Sequence, residues 1–387
     1  MNAFLVRCTG VVATVATAVL LLAGCGWISP PEPVLGDSVI VIGATSGSSE
    51  LSPAALAEPL AELDREGDRL IAVVGDGTPQ VVFDVTVPEL PGNSGDREPW
   101  LERFRGDVRT ALLAVRADSP EVDLTEAIAL GAQAFGPDRA HSLYVYSSGL
   151  QTTGLLSLLD GRLYAEPTDL VAYVEQNEGI PDLTGVRVRM PVGVVTAPQP
   201  ALTEGARIAL RDVWGRFFSA SQATDVDLTA GDLTARLSED ELPYVTPVPV
   251  ERPLPPVASG CRQELGSTSI GFTAGSAELS DPAGVDALVG RLVDDLAGCE
   301  GDYVVEASAS AEGGEAENLT LSEARAERIA GVLQSHLGEQ EALTVRVVGW
   351  GEMWPCRVAD LDADGHLILD AAIANRVVVI SRGDPGC

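Results

Sequence analysis

Lysine is absent from the 387 residues, so that all 25 basic side chains are arginine. This excludes Schiff-base chemistry and the lysine-bearing phosphate loop. Histidine is almost as scarce, limited to His141, His336 and His366, which makes zinc sites and histidine-based triads hard to assemble. Positive charge is in deficit: 25 basic against 57 acidic residues give a formal charge of −32. Such a field repels phosphate backbones and anionic lipid surfaces, and it argues against nucleic acid as a partner. There is no nucleophile elbow and no metal-ligand histidine pair, and the acids are dispersed, so the chain reads as a non-enzyme with no cofactor implied. Long apolar runs are missing too, since the stretch at 11–23 is too short for a comfortable membrane span and no later segment is apolar enough. What is present, 45% hydrophobic and 21% charged residues over this length, suits a globular chain of two domains.

The early apolar run, preceded by the single charge of Arg7, reads as a signal peptide over residues 1–24. Its end, Leu22-Ala23-Gly24-Cys25, resembles the bacterial lipobox. The resemblance implies that Cys25 carries acyl chains and tethers the protein to the extracytoplasmic face of the cell membrane without a spanning helix. The other reading is an ordinary secretory signal with a buried Cys25. Cys8 leaves with the signal, so Cys261, Cys299, Cys356 and Cys387 remain. An even set in an oxidising compartment, without any CxxC pair, favours disulfides over metal. Of three possible pairings, Cys261 with Cys299 and Cys356 with Cys387 are expected, the first tying the start of a strand to the end of the helix that follows.

Residues 25–36 form an anchor and spacer, and six prolines between 242 and 259 mark a semi-rigid linker over 241–259. The expected domains are therefore 37–240 and 260–387. In the first, apolar strands at 38–42, 69–74, 80–87, 142–147 and 186–195 alternate with helices at 100–112, 123–135, 168–176 and 202–220. This order predicts a doubly wound α/β sandwich with its site at the carboxyl ends of the strands.

Two loops of that domain, Ala44-x-Ser46-x-Ser48 after the first strand and Ser147-Ser148-Gly149 after a central one, resemble those of von Willebrand factor type A domains. In that family the loops read Asp-x-Ser-x-Ser and Ser-Asp-Gly, and with a threonine they hold a divalent metal. Here the aspartates are replaced by Ala44 and Ser148, and the threonine position falls near Val122 or Asp123, with Thr125 the closest hydroxyl. A hard cation needs charged oxygen ligands. The resemblance therefore implies a metal-free surface for an envelope protein partner; the plainer alternative is a Gly/Ser loop that only makes a tight turn.

In the second domain, residues 269–272 are read as a strand, and Val285, Leu288, Val289, Leu292, Val293 and Leu296 trace one face of a helix. Strands at 303–307, 344–348 and 377–380 and a second helix through Ile329, Val332 and Leu333 complete an α+β unit. The segments Asn318-x-x-Leu321-Ser322-x-x-Arg325-Ala326, Gly349-x-Gly351-Glu352 and Asn375-Arg376 follow the order and spacing of the OmpA-like peptidoglycan-associated family, which this domain resembles over nearly its whole length. The resemblance implies a pocket for the diaminopimelate of the wall's stem peptide, a zwitterion whose ammonium meets an aspartate and whose carboxylate meets a forked arginine. The arginine corresponds to Arg325 and the aspartate to Ser310, with Asn318 ordering the loop or capping the helix. Of the acids near Ser310, namely Glu306, Glu312, Glu315 and Glu317, the nearest substitute downstream is Glu312. A second arginine usual in the last strand is Val377 here. Arg325 could instead simply pair with a neighbouring carboxylate.

Asp360-x-Asp362-x-Asp364-Gly365 matches the first half of a calcium loop, but position twelve is Ala371 rather than Glu. It reads either as a weak calcium site or as an acidic turn. The sequence as a whole predicts a lipid-anchored, non-catalytic envelope protein. Either it contacts peptidoglycan through a modified pocket while its first domain binds a partner, or it is an interaction scaffold that has lost both small-ligand sites.

Overall fold

In a computed structural model the described residues are 34–229, 233, 242–252, 260–337 and 344–383. Cys25, Cys387 and linker residues 253–259 lie outside them. Residues from Leu35 onward fall in one compact unit that holds two sheets.

The first sheet is built from β1 (Gly36–Ile42), β2 (Arg69–Val74), β3 (Gln80–Thr86), β4 (Ala140–Tyr146), β5 (Arg187–Arg189) and β6 (Thr224–Asp227) in the order β3-β2-β1-β4-β5-β6. All pairings are parallel except β2 with the edge strand β3. The unbroken apolar runs of β1 and β2 are buried on both faces, as a parallel sheet between helical layers requires. On one face Val39 and Val41 pack with α3 (Leu124–Gln133), α4 (Pro167–Gln176) and α5 (Glu204–Ala220), which contributes Trp214, Phe217 and Phe218. On the other, Ile40 and Ile42 meet α1 (Ala57–Ala61) and α2 (Ser94–Leu113). Asp123 and Thr203 start α3 and α5 by accepting bonds from the N–H groups of Glu126 and Ala206, each 3.1 Å. The strand expected over 186–195 is reduced to Arg187–Arg189, because Pro191 has no N–H to offer a ladder.

The second sheet runs β7-β10-β8-β9, from β7 (Arg262–Gly266), β8 (Tyr303–Ala307), β9 (Val345–Gly349) and β10 (Val377–Arg382). β10 is antiparallel to both of its neighbours, and β8 is parallel to β9. One face is covered by α7 (Pro282–Asp295) and α8 (Glu315–Leu337) around Val289, Ile329, Leu333 and Ile380. The strand expected at 269–272 is a correction. The chain there forms the short helix α6 (Ser267–Ile270), ended by Gly271 at φ 72°, and the pairing strand is β7 just before it. Arg262 and Glu264, on the face away from α7 and α8, give this edge strand the polar pattern that hid it. Cys261, at the start of β7, is disulfide-bonded to Cys299 beyond α7, the pairing expected from the sequence. In the Gly349-x-Gly351 turn, a Cβ at Gly349 would lie 2.5 Å from the Glu323 backbone nitrogen, so β9 approaches α8 only because that position is glycine.

The halves are joined by more than the linker. Leu369, at the start of α9 (Leu369–Asn375), is buried in the first core beside α4, as is Val248 of the Pro-rich segment. Gln176 exchanges two bonds with the backbone of Leu367, 2.8 and 2.6 Å.

Candidate functional site

Arg325 projects from α8 and Arg376 from the residue before β10, and both are buried. A buried guanidinium demands partners. Arg325 donates through Nη2 to Glu166 Oε2 at 2.8 Å and through Nε to the Ser276 carbonyl at 2.9 Å, with the Phe272 ring centroid 4.8 Å away. Arg376 forks onto Asp169, with Nε to Oδ2 at 2.6 Å and Nη2 to Oδ1 at 2.7 Å. The two acids flank the start of α4, where Pro167 takes the first helical position. Side-chain exposure is 3% and 4% for Arg325 and Glu166 and 3% and 0% for Arg376 and Asp169, so neither pair has the solvent screening of a surface bridge.

Ser310 is fully buried, and its hydroxyl donates to Asp169 Oδ1 at 2.9 Å. The carboxylate at this position is thus supplied by Asp169, from the other half of the chain. Glu312 meets Ser310 only through its backbone N–H, at 3.3 Å. Asn318 donates to the carbonyls of Ser310 and Glu312 and to Glu352, at 3.3, 3.0 and 2.9 Å, and so orders the loop. The bidentate fork expected of Arg325 is made by Arg376, whose Asn-Arg dipeptide the sequence offered as a motif without assigning the arginine a role. Glu166 and Asp169 carried no signal beyond acids at a helix start.

The electrostatics follow from this packing. Burial works against the ionised form of Glu166, but the charges of Arg325 and Arg376 and the Gly275 N–H at 2.8 Å more than offset it, so its pKa is lowered. Burial lowers that of Arg325. Two acids at the margin move the other way: Glu312 is raised by burial and by the charge of Asp169, and Asp212 by burial and by Glu166.

At the carboxyl end of the first sheet, Ser46, Ser48, Ser148 and Thr152 border a cavity of about 10 Å³, no more than one water needs. The Pro-rich segment lies across it: the Val245 N–H donates to Ser46 Oγ and the Ser46 N–H to the Pro243 carbonyl, each 3.0 Å. Thr125 is instead held by Asp123 and Gln151 at 3.0 and 2.9 Å, while Ala44 borders a separate cavity of about 190 Å³ with Leu51 and Leu112. In the acidic loop, Asp360 is buried against Arg357 and the Ala311 N–H. Asp362 accepts from the N–H groups of Asp364 and His366 at 2.9 and 2.8 Å, the geometry of a turn. Among the described residues no cluster of three His, Cys, Asp or Glu is placed to hold a metal, and no helix is long and apolar enough to cross a membrane.

No protein-family model matches the chain, and no curated protein does. Solved structures that it resembles include the cell wall anchor of the T6SS from Pseudomonas aeruginosa, at 22% identity over 31% of this chain and 79% of the other, TM-score 0.25. An OmpA-like domain from Francisella tularensis matches at 16% identity over 34% and 92%, TM-score 0.23. An aerotolerance-related membrane protein from Bacteroides fragilis matches at 13% identity over 52% and 92%, TM-score 0.26. The fold itself rests on the strand pairings given above.

Proposed function

We propose that this protein is a non-catalytic scaffold of the bacterial cell envelope, tethered through Cys25 to the extracytoplasmic face of the membrane. Its arginine pocket is turned inward to fasten the two halves together, and its first half is offered to a protein partner. The observation that carries this reading is the pairing of both buried arginines with Glu166 and Asp169. A pocket whose cations are already neutralised by well-placed carboxylates has no counter-charge left for the carboxylate of a wall peptide, and the ligand would have to displace buried ion pairs. Incubation of the full chain with purified diaminopimelate-type cell wall tests it. The protein is expected to stay in the supernatant, and pelleting with the wall overturns the reading.

Direct wall contact is the second reading. What favours it is the intact frame of the pocket, in which Asn318 orders the Ser310 loop and Arg325 stands at the family's position. Under this reading the wild-type chain pellets with wall and an Arg325→Ala variant does not.

A further inference from the structure

We infer that the pocket of the second half is a receptor for two carboxylates, occupied here by the chain's own Glu166 and Asp169, and that an acidic peptide rather than a zwitterion is the external ligand it would accept. The inference rests on the inward-turned pocket proposed above and names the chemistry of that site.

The donors define two anion positions. One is formed by Arg325 Nη2 and the Gly275 N–H, each 2.8 Å from a Glu166 oxygen. The other is formed by the Arg376 fork and the Ser310 hydroxyl around Asp169. A zwitterion needs an acid on the pocket wall for its ammonium. That place is held by Ser310, a donor to the carboxylate already present. With Glu166 and Asp169 withdrawn, the wall presents two buried guanidinium groups, and the acids Glu312 and Asp212 stand at its margin. The pKa of Glu312 is raised by its burial first and by the charge of Asp169 second. A helix start bearing Glu and Asp three residues apart, as at 166 and 169, therefore matches both positions at once, and a diamino dicarboxylate leaves its ammonium groups facing guanidinium.

The test uses the full chain with E166Q/D169N, which keeps the shape and removes the charge. A synthetic peptide of residues 162–178 is titrated against it, beside the same peptide carrying Gln and Asn at 166 and 169. The acidic peptide is expected to bind at least about tenfold tighter, as loss of desolvated charge pairs implies, with succinate competing and meso-diaminopimelate not. Equal binding of the two peptides, or diaminopimelate competing as well as succinate, overturns the inference. If that variant does not fold, E166A alone retains the Asp169 fork. Acetate is expected to raise its unfolding midpoint above that in chloride of equal ionic strength, and no difference between the salts overturns the inference. Wild-type pelleting with cell wall defeats the scaffold reading and this inference with it, whereas loss of peptide selectivity in the variant defeats only this one.

Discussion

Two places where the sequence led us to look for a ligand, the loops at the carboxyl end of the first sheet and the arginine pocket of the second, are both filled by the chain itself, but with different chemistry. Over the first sheet the filling is neutral: backbone groups of the Pro-rich segment bond Ser46, and the Val248 N–H donates to Gln199 Oε1 at 2.8 Å. In the pocket it is ionic and dry. A neutral hydrogen bond exchanged with water contributes about 1 kcal/mol net, whereas removing one partner of a buried ion pair costs about 3–5 kcal/mol because a desolvated charge is left behind. The neutral cover can be lost cheaply. The ionic one holds two halves of the molecule in register.

The largest expected effect breaks the ionic side. Asp169→Ala, stranding both Arg376 and the Ser310 hydroxyl, is expected to lower stability by about 3–5 kcal/mol in denaturant unfolding. A cost near that of a surface substitution would erase the contrast between the two places. The double cycle of E166A and R325A is expected to show a coupling above about 1 kcal/mol.

The disulfide sharpens the comparison from another side, because it closes a segment of the second half only. Removing Cys261–Cys299, which spans a sequence separation of 38, is expected to cost about 2–4 kcal/mol. Hydrogen exchange then rises around β7 and α7, and equal loss in the first sheet would show that the halves unfold as one unit.

Acid gives a graded effect. The folded pKa of Glu166 lies below its unfolded value, so its contribution is complete above the ordinary glutamate value of about 4.3 and is lost as pH falls through the folded pKa. The stability advantage of the wild type over Glu166→Gln is expected to shrink below that pH. The raised pKa of Glu312, which does not depend on Glu166, acts in the opposite sense in both proteins, which is why the difference is the quantity to measure; that of Asp212, raised by burial and in part by Glu166, falls back in the variant. An advantage that is flat down to strong acid would contradict the ion pair.

The smallest effect is expected on the neutral side. Ser46→Ala removes the acceptor of the Val245 N–H and is expected to cost about 1 kcal/mol. A loss as large as that of Asp169→Ala would show that the Pro-rich cover is as firmly held as the pocket.

Much of the fold was legible because its signals are local. The apolar runs of β1 and β2 and the four-residue recurrence of Trp100, Phe104, Val108 and Leu112 in α2 each act within a few residues. β7, a polar edge strand, has no apolar run to announce it, and β5 is shorter than the apolar run that contains it because Pro191 cannot continue the ladder. In the site, Arg325, Ser310 and Asn318 could be named from the family resemblance; Asn318 bonds the Ser310 loop, while Arg325 reaches instead to Glu166 and the Ser276 carbonyl. Glu312 was named as the replacement acid on proximity in sequence, the wrong measure for a carboxylate that arrives from another layer.

The sequence by itself determined the alternating elements and the two-faced burial of the first sheet, since these follow from periodicity over short range, while the arginine anchor on α8 was legible only through the family resemblance and the Cys261–Cys299 link was one of three pairings the sequence left open. The tertiary structure alone decided what that anchor holds. Glu166 is 159 residues from Arg325, and Asp169 is 207 from Arg376. Pairings at such distance leave no periodic trace, because they are selected by the packing of α4 against α9 and the pocket, which strips water from four charges and leaves them to compensate one another with a few fixed polar groups, among them the Gly275 N–H and the Ser310 hydroxyl.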